Sequence, residues 1–336
     1  MQAKFKSAQL ALFTLVLALP SSAQQSTMPG RMLGAFRPSN QPSQIGMDHG
    51  ISTPKPLPST ALTAPTFTFG MLDFPGATTS YILGTGDKSH IVGAYGPLAS
   101  FSSPSWNGYR LSGTDFTKIT FPGAVHTFAA GINTAGTIVG AYELSDGSFH
   151  GYLLTANTFS KFDYPGSANT EPTSINDSGE IVGYWWNDIN FLNSFVYSNG
   201  VFTSLQPPGS TFTLAQHINK AGDIVGQFYD SANAGHGFLL HSGSYTVIDY
   251  PGATSTSLEG INNKGQIVGA YGTGEFVQGF DLYHGFLDDD GTFTSFDVPL
   301  AGAPLTIPRS INDKGQIAGF YTDTTSTYFG FVASFK

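Results

Sequence analysis

Apolar positions along this chain follow two patterns. The first is a ten-residue run, Leu10 to Leu19; the second, which fills the rest, is a series of stretches about five or six residues long divided by Gly, Asn, Pro and Ser. The run follows Lys4 and Lys6 and precedes Ser21-Ser22-Ala23, the layout of a secretory leader cleaved after Ala23. It is too short for a membrane span, which needs about 20 apolar residues, and no later stretch approaches that length. A Sec-type route to the periplasm or the cell exterior is expected, with residues 1–23 removed. A buried N-terminal helix is the weaker alternative, because the polar segment behind it offers nothing to pack against.

The short stretches repeat. Segments 131–142, 174–185, 217–228, 260–271 and 310–321 superimpose without gaps on the pattern Ile-Asn-x-x-Gly-x-Ile-Val/Ala-Gly. Their asparagines, Asn133, Asn176, Asn219, Asn262 and Asn312, are 43, 43, 43 and 50 residues apart, and an eroded sixth copy at 84–95 stands 47 residues ahead of the first. Each unit adds a short strand such as residues 150–154 or 236–240, and an aromatic strand such as 158–166 or 245–252. Four strands with four short connections account for a period near 43 residues, that of a β-propeller blade. Asn at the first position and Gly at the fourth, as in Asn176-Asp177-Ser178-Gly179, mark a type I turn closing through a left-handed glycine.

Six units predict an all-β, six-bladed propeller over residues 67–336. The chain enters it with a lone aromatic strand, 67–76, equivalent to the fourth strand of a blade, and ends at 328–336 after a third strand. Pairing Phe67 to Phe74 with Phe329 to Phe335 completes the sixth blade and removes an exposed edge. An open stack of β-units is the alternative, which leaves two ends uncapped.

Composition supports the all-β class and narrows the chemistry. Of 336 residues 41 are Gly, 28 Phe and 15 Tyr, only 11% are charged, and none is Cys, which removes disulfides, thiolate nucleophiles and Cys-ligated metals together. Residues 24–66, rich in Ser, Pro, Thr and Gln with Phe36 as their one aromatic before the propeller, read as a disordered linker. Residues 67–336 hold nine basic against 22 acidic residues, which disfavours a nucleic-acid partner. A monomer with no cofactor is expected.

The Ile-Asn-x-x-Gly-x-Ile-Val-Gly core at Ile132 to Gly140, Ile175 to Gly183, Ile218 to Gly226 and Ile261 to Gly269, with the His-Gly strands at His150, His236 and His284, resembles the extracellular HAF-type repeat proteins of bacteria. The resemblance spans residues 67–336 and departs in two respects: Gly replaces Ala after the histidine, and Asn107, Asn193 and Phe329 replace the histidine itself. It implies an exported repeat protein and no particular chemistry.

Candidate site residues follow from where the copies disagree. The histidines share one repeat position and so fall in different blades, which favours hydrogen bonding over metal ligation; Asp73, Asp163, Asp249 and Asp297 read likewise as strand-end acceptors. Just before each Ile-Asn core the units differ, carrying Ala130, Thr173, Gln216 with His217, Glu259 and Arg309, which should converge on the central axis. The connection between second and third strands holds Trp106, Trp185 and Trp186, with Tyr283 close by, and an exposed aromatic face there would stack on sugar rings. Packing of these rings beneath their own loops is the competing expectation. No Gly-x-Ser-x-Gly, His-Glu-x-x-His or Gly-x-x-x-x-Gly-Lys occurs. Three classes remain: a module binding an extracellular glycan or cell-surface ligand, a structural surface protein, and a polysaccharide-active enzyme with Glu259 and Glu171 as acid and base.

Overall fold

Strand formation follows the repeat. The computed structural model describes residues 65–336 apart from 97–104, 189–191, 278–279, 301–304 and 324–326; the leader and all but the last two residues of the linker lie outside the described residues. A first strand, β1 (Phe67–Met71), is followed by four hairpin-connected strands per unit. Blade 1 is β2 (Thr79–Thr85), β3 (Ile91–Gly96), β4 (Asn107–Ser112) and β5 (Asp115–Ile119); blade 2 is β6 (His126–Ile132), β7 (Ile138–Glu143), β8 (Phe149–Thr155) and β9 (Thr158–Phe162). Blade 3 is β10 (Asn169–Ile175), β11 (Ile181–Trp186), β12 (Asn193–Ser198) and β13 (Val201–Leu205); blade 4 is β14 (Phe212–Ile218), β15 (Ile224–Tyr229), β16 (Gly235–His241) and β17 (Ser244–Val247). Blade 5 is β18 (Ser255–Ile261), β19 (Ile267–Val277), β20 (Phe280–Asp289) and β21 (Thr292–Phe296), and blade 6 is β22 (Leu305–Ile311), β23 (Gln316–Thr322) and β24 (Tyr328–Phe335), completed by β1. Blades 1 to 4 are separate sheets, whereas blades 5 and 6 are joined by a single parallel bridge, Tyr283 to Leu305.

The ring shuts as the termini predict. Strand β1 pairs antiparallel with β24 in the register Phe67↔Phe335 to Met71↔Phe331, and the Leu72 amide extends the ladder by donating to the Gly330 carbonyl at 3.0 Å. The Phe67 ring lies 4.5 Å from that of Phe296, which ties the closing strand to blade 5 as well. Innermost strands touch their neighbours all the way round, β22 meeting β2, so the ring is continuous about the axis.

Each Asn-x-x-Gly turn serves two blades. The side-chain oxygen of Asn262 accepts the Lys264 and Gln266 amides and so holds its own hairpin turn, while its side-chain amide donates to the Asn312 carbonyl one blade on. The same donation runs from Asn133 to Asn176, Asn176 to Asn219, Asn219 to Asn262, and Asn312 to Gly86. Only an amide side chain both accepts and donates in this way, which accounts for the repeated Asn. The turn glycines have φ between +75° and +86°, as the left-handed position requires, and Ser89 occupies it at +59° in blade 1.

Between blades the packing is apolar. Val139 and Phe162 of blade 2 meet Ile175, Ile181 and Phe195 of blade 3, and equivalent clusters fill the other junctions. The three His-Gly histidines donate or accept within their own blades, His150 to Asp163 at 3.2 Å, and His236 to Asp249 and His284 to Asp297 at 2.8 Å. The same Asp163 and Asp249 carboxylates also accept the Gly151 and Gly237 amides. These imidazoles lie one per blade, each engaged by an aspartate just past that blade's fourth strand.

Candidate functional site

The axial residues are delivered by a bulge. In every innermost strand the pairing register slips by one residue, and the residue left out is Leu83, Ala130, Thr173, Gln216, Glu259 or Arg309. A bulge re-aims one side chain without unpairing the strand, and here it turns the least repetitive position of each unit inward. Thr173, Gln216 and Arg309 consequently line one small axial cavity with Leu83, Ala130 and Glu171. Arg309 donates to Glu259 and, at 3.3 Å, to Gln216 Oε1, while Ser257 donates to Glu259 at 2.5 Å. Thr173 donates to the Ala215 carbonyl at 2.9 Å. His217 lies beside Ser310, its Nε2 3.4 Å from the hydroxyl; burial first, and then the Arg309 charge, pushes its imidazole down to about 4 and keeps it neutral.

The axial cluster is therefore internal machinery of the ring. Its cavity measures about 30 Å³, the room of roughly one water molecule, and gives no space for a sugar. Burial pushes the Glu171 carboxyl up to about 8, partly offset by the hydrogen bond that Tyr184 donates at 2.5 Å, with Glu143 raising it further. Glu259 is buried in its ion pair with Arg309. Neither carboxylate faces a volume that a polysaccharide enters.

The predicted aromatic face turns inward. Trp106, Trp186 and Tyr283 are 3%, 4% and 8% exposed and join Tyr81, Phe128 and Phe320 in a plug across one end of the ring. Trp185 stacks on Tyr164 at 4.5 Å, nearly parallel. The expectation of exposed rings is thus replaced by its competitor, because wide rings at the mouth of a ring of sheets bury more apolar area by filling it than by facing water. Phe191, Phe276 and Phe280, which the sequence puts on the same connections, lie outside the described side chains.

An open concavity does exist, between blades 1 and 2, and sequence reasoning missed it. It has a volume of about 490 Å³, within the range of small-ligand sites, and its walls include Arg110, Thr117, Lys118, Thr155, Asn157 and Phe159. Strand β5 of blade 1 forms one wall and the β8–β9 turn of blade 2 the other. An aromatic ring, hydroxyls, an amide and the Arg110 guanidinium converge there, whereas Lys118 pairs with Tyr109 and so lies on the opposite face of its strand. The signal was present in the repeat: Arg110 faces Val92 at the position where the other blades pair Leu153, Val196, Leu239, Leu287 and Val332 with Val or Ala.

Comparison with known proteins gives the fold. No family model matches the chain, and no curated protein matches its sequence. Among solved structures, a putative TolB from Agrobacterium tumefaciens matches over 77% of this chain and 91% of its own at 14% identity, TM-score 0.53. AofleA from Arthrobotrys oligospora matches over 80% and 86% at 13% identity, TM-score 0.51. The Aleuria aurantia lectin, a six-bladed β-propeller described with a fucose recognition mode, matches over 77% and 95% at 11% identity, TM-score 0.51. At such identities the likeness is one of fold: this chain is a six-bladed propeller.

Proposed function

We propose that the chain is an exported, non-catalytic propeller that binds a saccharide in the groove between blades 1 and 2. The groove itself carries the reading: a concavity of about 490 Å³ that sets the Phe159 ring beside Thr155, Asn157 and Thr117. Saccharides offer an apolar C–H face to a ring and hydroxyls to short polar side chains, so this combination suits them. The secretory leader expected at residues 1–23 supports a location among cell-surface glycans, and the Aleuria lectin, with its fucose recognition mode, supports a saccharide role for this architecture. A site on the aromatic end of the ring is not favoured, because its rings are packed against one another.

A glycan array probed with the full chain tests this, paired with Thr117→Trp, which fills the groove from an exposed strand position that tolerates an aromatic. Saccharide binding that Thr117→Trp abolishes while the melting temperature is retained is the expected result. Absence of binding across the array would leave the structural surface protein as the better description, and binding untouched by Thr117→Trp would move the site elsewhere.

A further inference from the structure

The position of Arg110 specifies the ligand class. Five blades carry an apolar residue opposite the second-strand Val or Ala, and there it helps close the junction with the next blade: Leu153 packs with Phe162, Ile175 and Phe195, and Leu239 with Leu258 and Phe286. Blade 1 alone places a guanidinium there, and Arg110 takes no part in the apolar cluster that joins blades 1 and 2. Replacing an interblade hydrocarbon by a charged side chain weakens the seal, and the groove lies at this junction. Nothing in the scaffold requires the arginine, since five copies fold without it.

The guanidinium has no internal use for its charge. Among the described residues neither Arg110 nor Lys118 makes an ion pair, although the propeller is acidic overall. In blade 1 basic residues, Lys88, Arg110 and Lys118, also outnumber acidic ones, Asp87 and Asp115. The field is felt locally: the His90 imidazole is held below its ordinary value by burial first, and then by Arg110 and Lys88.

Building on the groove reading, we infer that the saccharide bound there is anionic, a uronic-acid oligosaccharide whose carboxylate pairs with Arg110. A planar guanidinium holds a carboxylate through two parallel hydrogen bonds, and a half-buried one does so more strongly than a surface lysine. Lys118, exposed on the other face of the same strand, adds only a longer-range, salt-screened attraction.

Calorimetric titration of the full chain with galacturonate, glucuronate and guluronate tetrasaccharides, each against a neutral tetrasaccharide, tests this. The expected result is that at least one uronate binds about tenfold or more tightly than its neutral counterpart, weakening as salt is added. Arg110→Leu, the residue type of the other blades, should abolish that preference without lowering the melting temperature. Equal affinity for neutral and uronate ligands, unchanged in Arg110→Leu but lost in Thr117→Trp, would overturn the anionic specificity and leave the groove as a saccharide site. Binding of either class that survives Thr117→Trp would overturn both.

Discussion

The side-chain amide of Asn176 donates to the main-chain carbonyl of Asn219, 3.0 Å away and one blade further round the ring. Its side-chain oxygen meanwhile accepts the Ser178 and Glu180 amides of its own turn. One residue thus shapes a hairpin and links two blades, and four other asparagines do the same. Asn176→Ala removes all these bonds from a buried site and is expected to cost about 2–3 kcal/mol in chemical denaturation. Asn176→Asp keeps the acceptor and loses the donor, so it should retain the turn yet still weaken the link between blades.

Blade 1 breaks this circuit, and repairing it should stabilise the protein. Gly86 stands where the other copies have Asn, and Ser89 adopts a left-handed φ of +59° where they have Gly. Ser89→Gly relieves that backbone and should raise stability by about 1 kcal/mol. Gly86→Asn supplies the missing donor toward the Asn133 carbonyl, and the double substitution should show a higher melting temperature than either alone.

Closure rests on the aromatic strand β1. Phe67 packs on Phe296, and Phe69 lies 6.0 Å from Phe331, both rings half-buried between blades 5 and 6. Phe67→Ala and Phe69→Ala should each cost about 2 kcal/mol, less than a fully buried phenylalanine. Deletion of residues 67–74 leaves the β24 edge unpaired, and a lower, broader thermal transition with concentration-dependent aggregation is expected.

A pH-dependent stability follows from Glu171. Burial holds its carboxyl protonated up to about pH 8 in the folded ring, whereas in an unfolded chain it ionises near about 4.3. The folded state therefore binds the extra proton between these values, so this contribution is complete below about pH 4.3 and is lost as pH rises toward 8. Glu171→Gln keeps an acceptor for Tyr184 without the charge, and should flatten that part of the pH profile and raise stability at pH 8.

The Arg309–Glu259 pair should behave as a buried unit. Removing one member, as in Arg309→Met, strands a carboxylate in the ring and should cost about 3–5 kcal/mol, whereas Arg309→Met with Glu259→Leu should recover most of it. Urea denaturation of the two variants separates these outcomes.

By itself the sequence determined the blade count, the four-strand unit, the hairpin turns and the pairing of the first strand with the last. Those are local or periodic properties: the Asn-x-x-Gly turn needs four adjacent residues, and six recurrences of one pattern need only counting. It also placed Thr173, Gln216, Glu259 and Arg309 around one axis, because symmetry alone brings equivalent positions together. Which side chains face water was decided only by the assembled ring. A tryptophan beside a strand connection reads the same whether it caps the mouth or fills it; Trp106 fills it against Tyr81 of its own blade and Phe128 of the next, and Trp186, at the end of β11, against Phe149 of the preceding blade. The groove at Arg110 likewise lies between two blades, a junction that exists only when residues 43 or so apart in the chain are packed side by side.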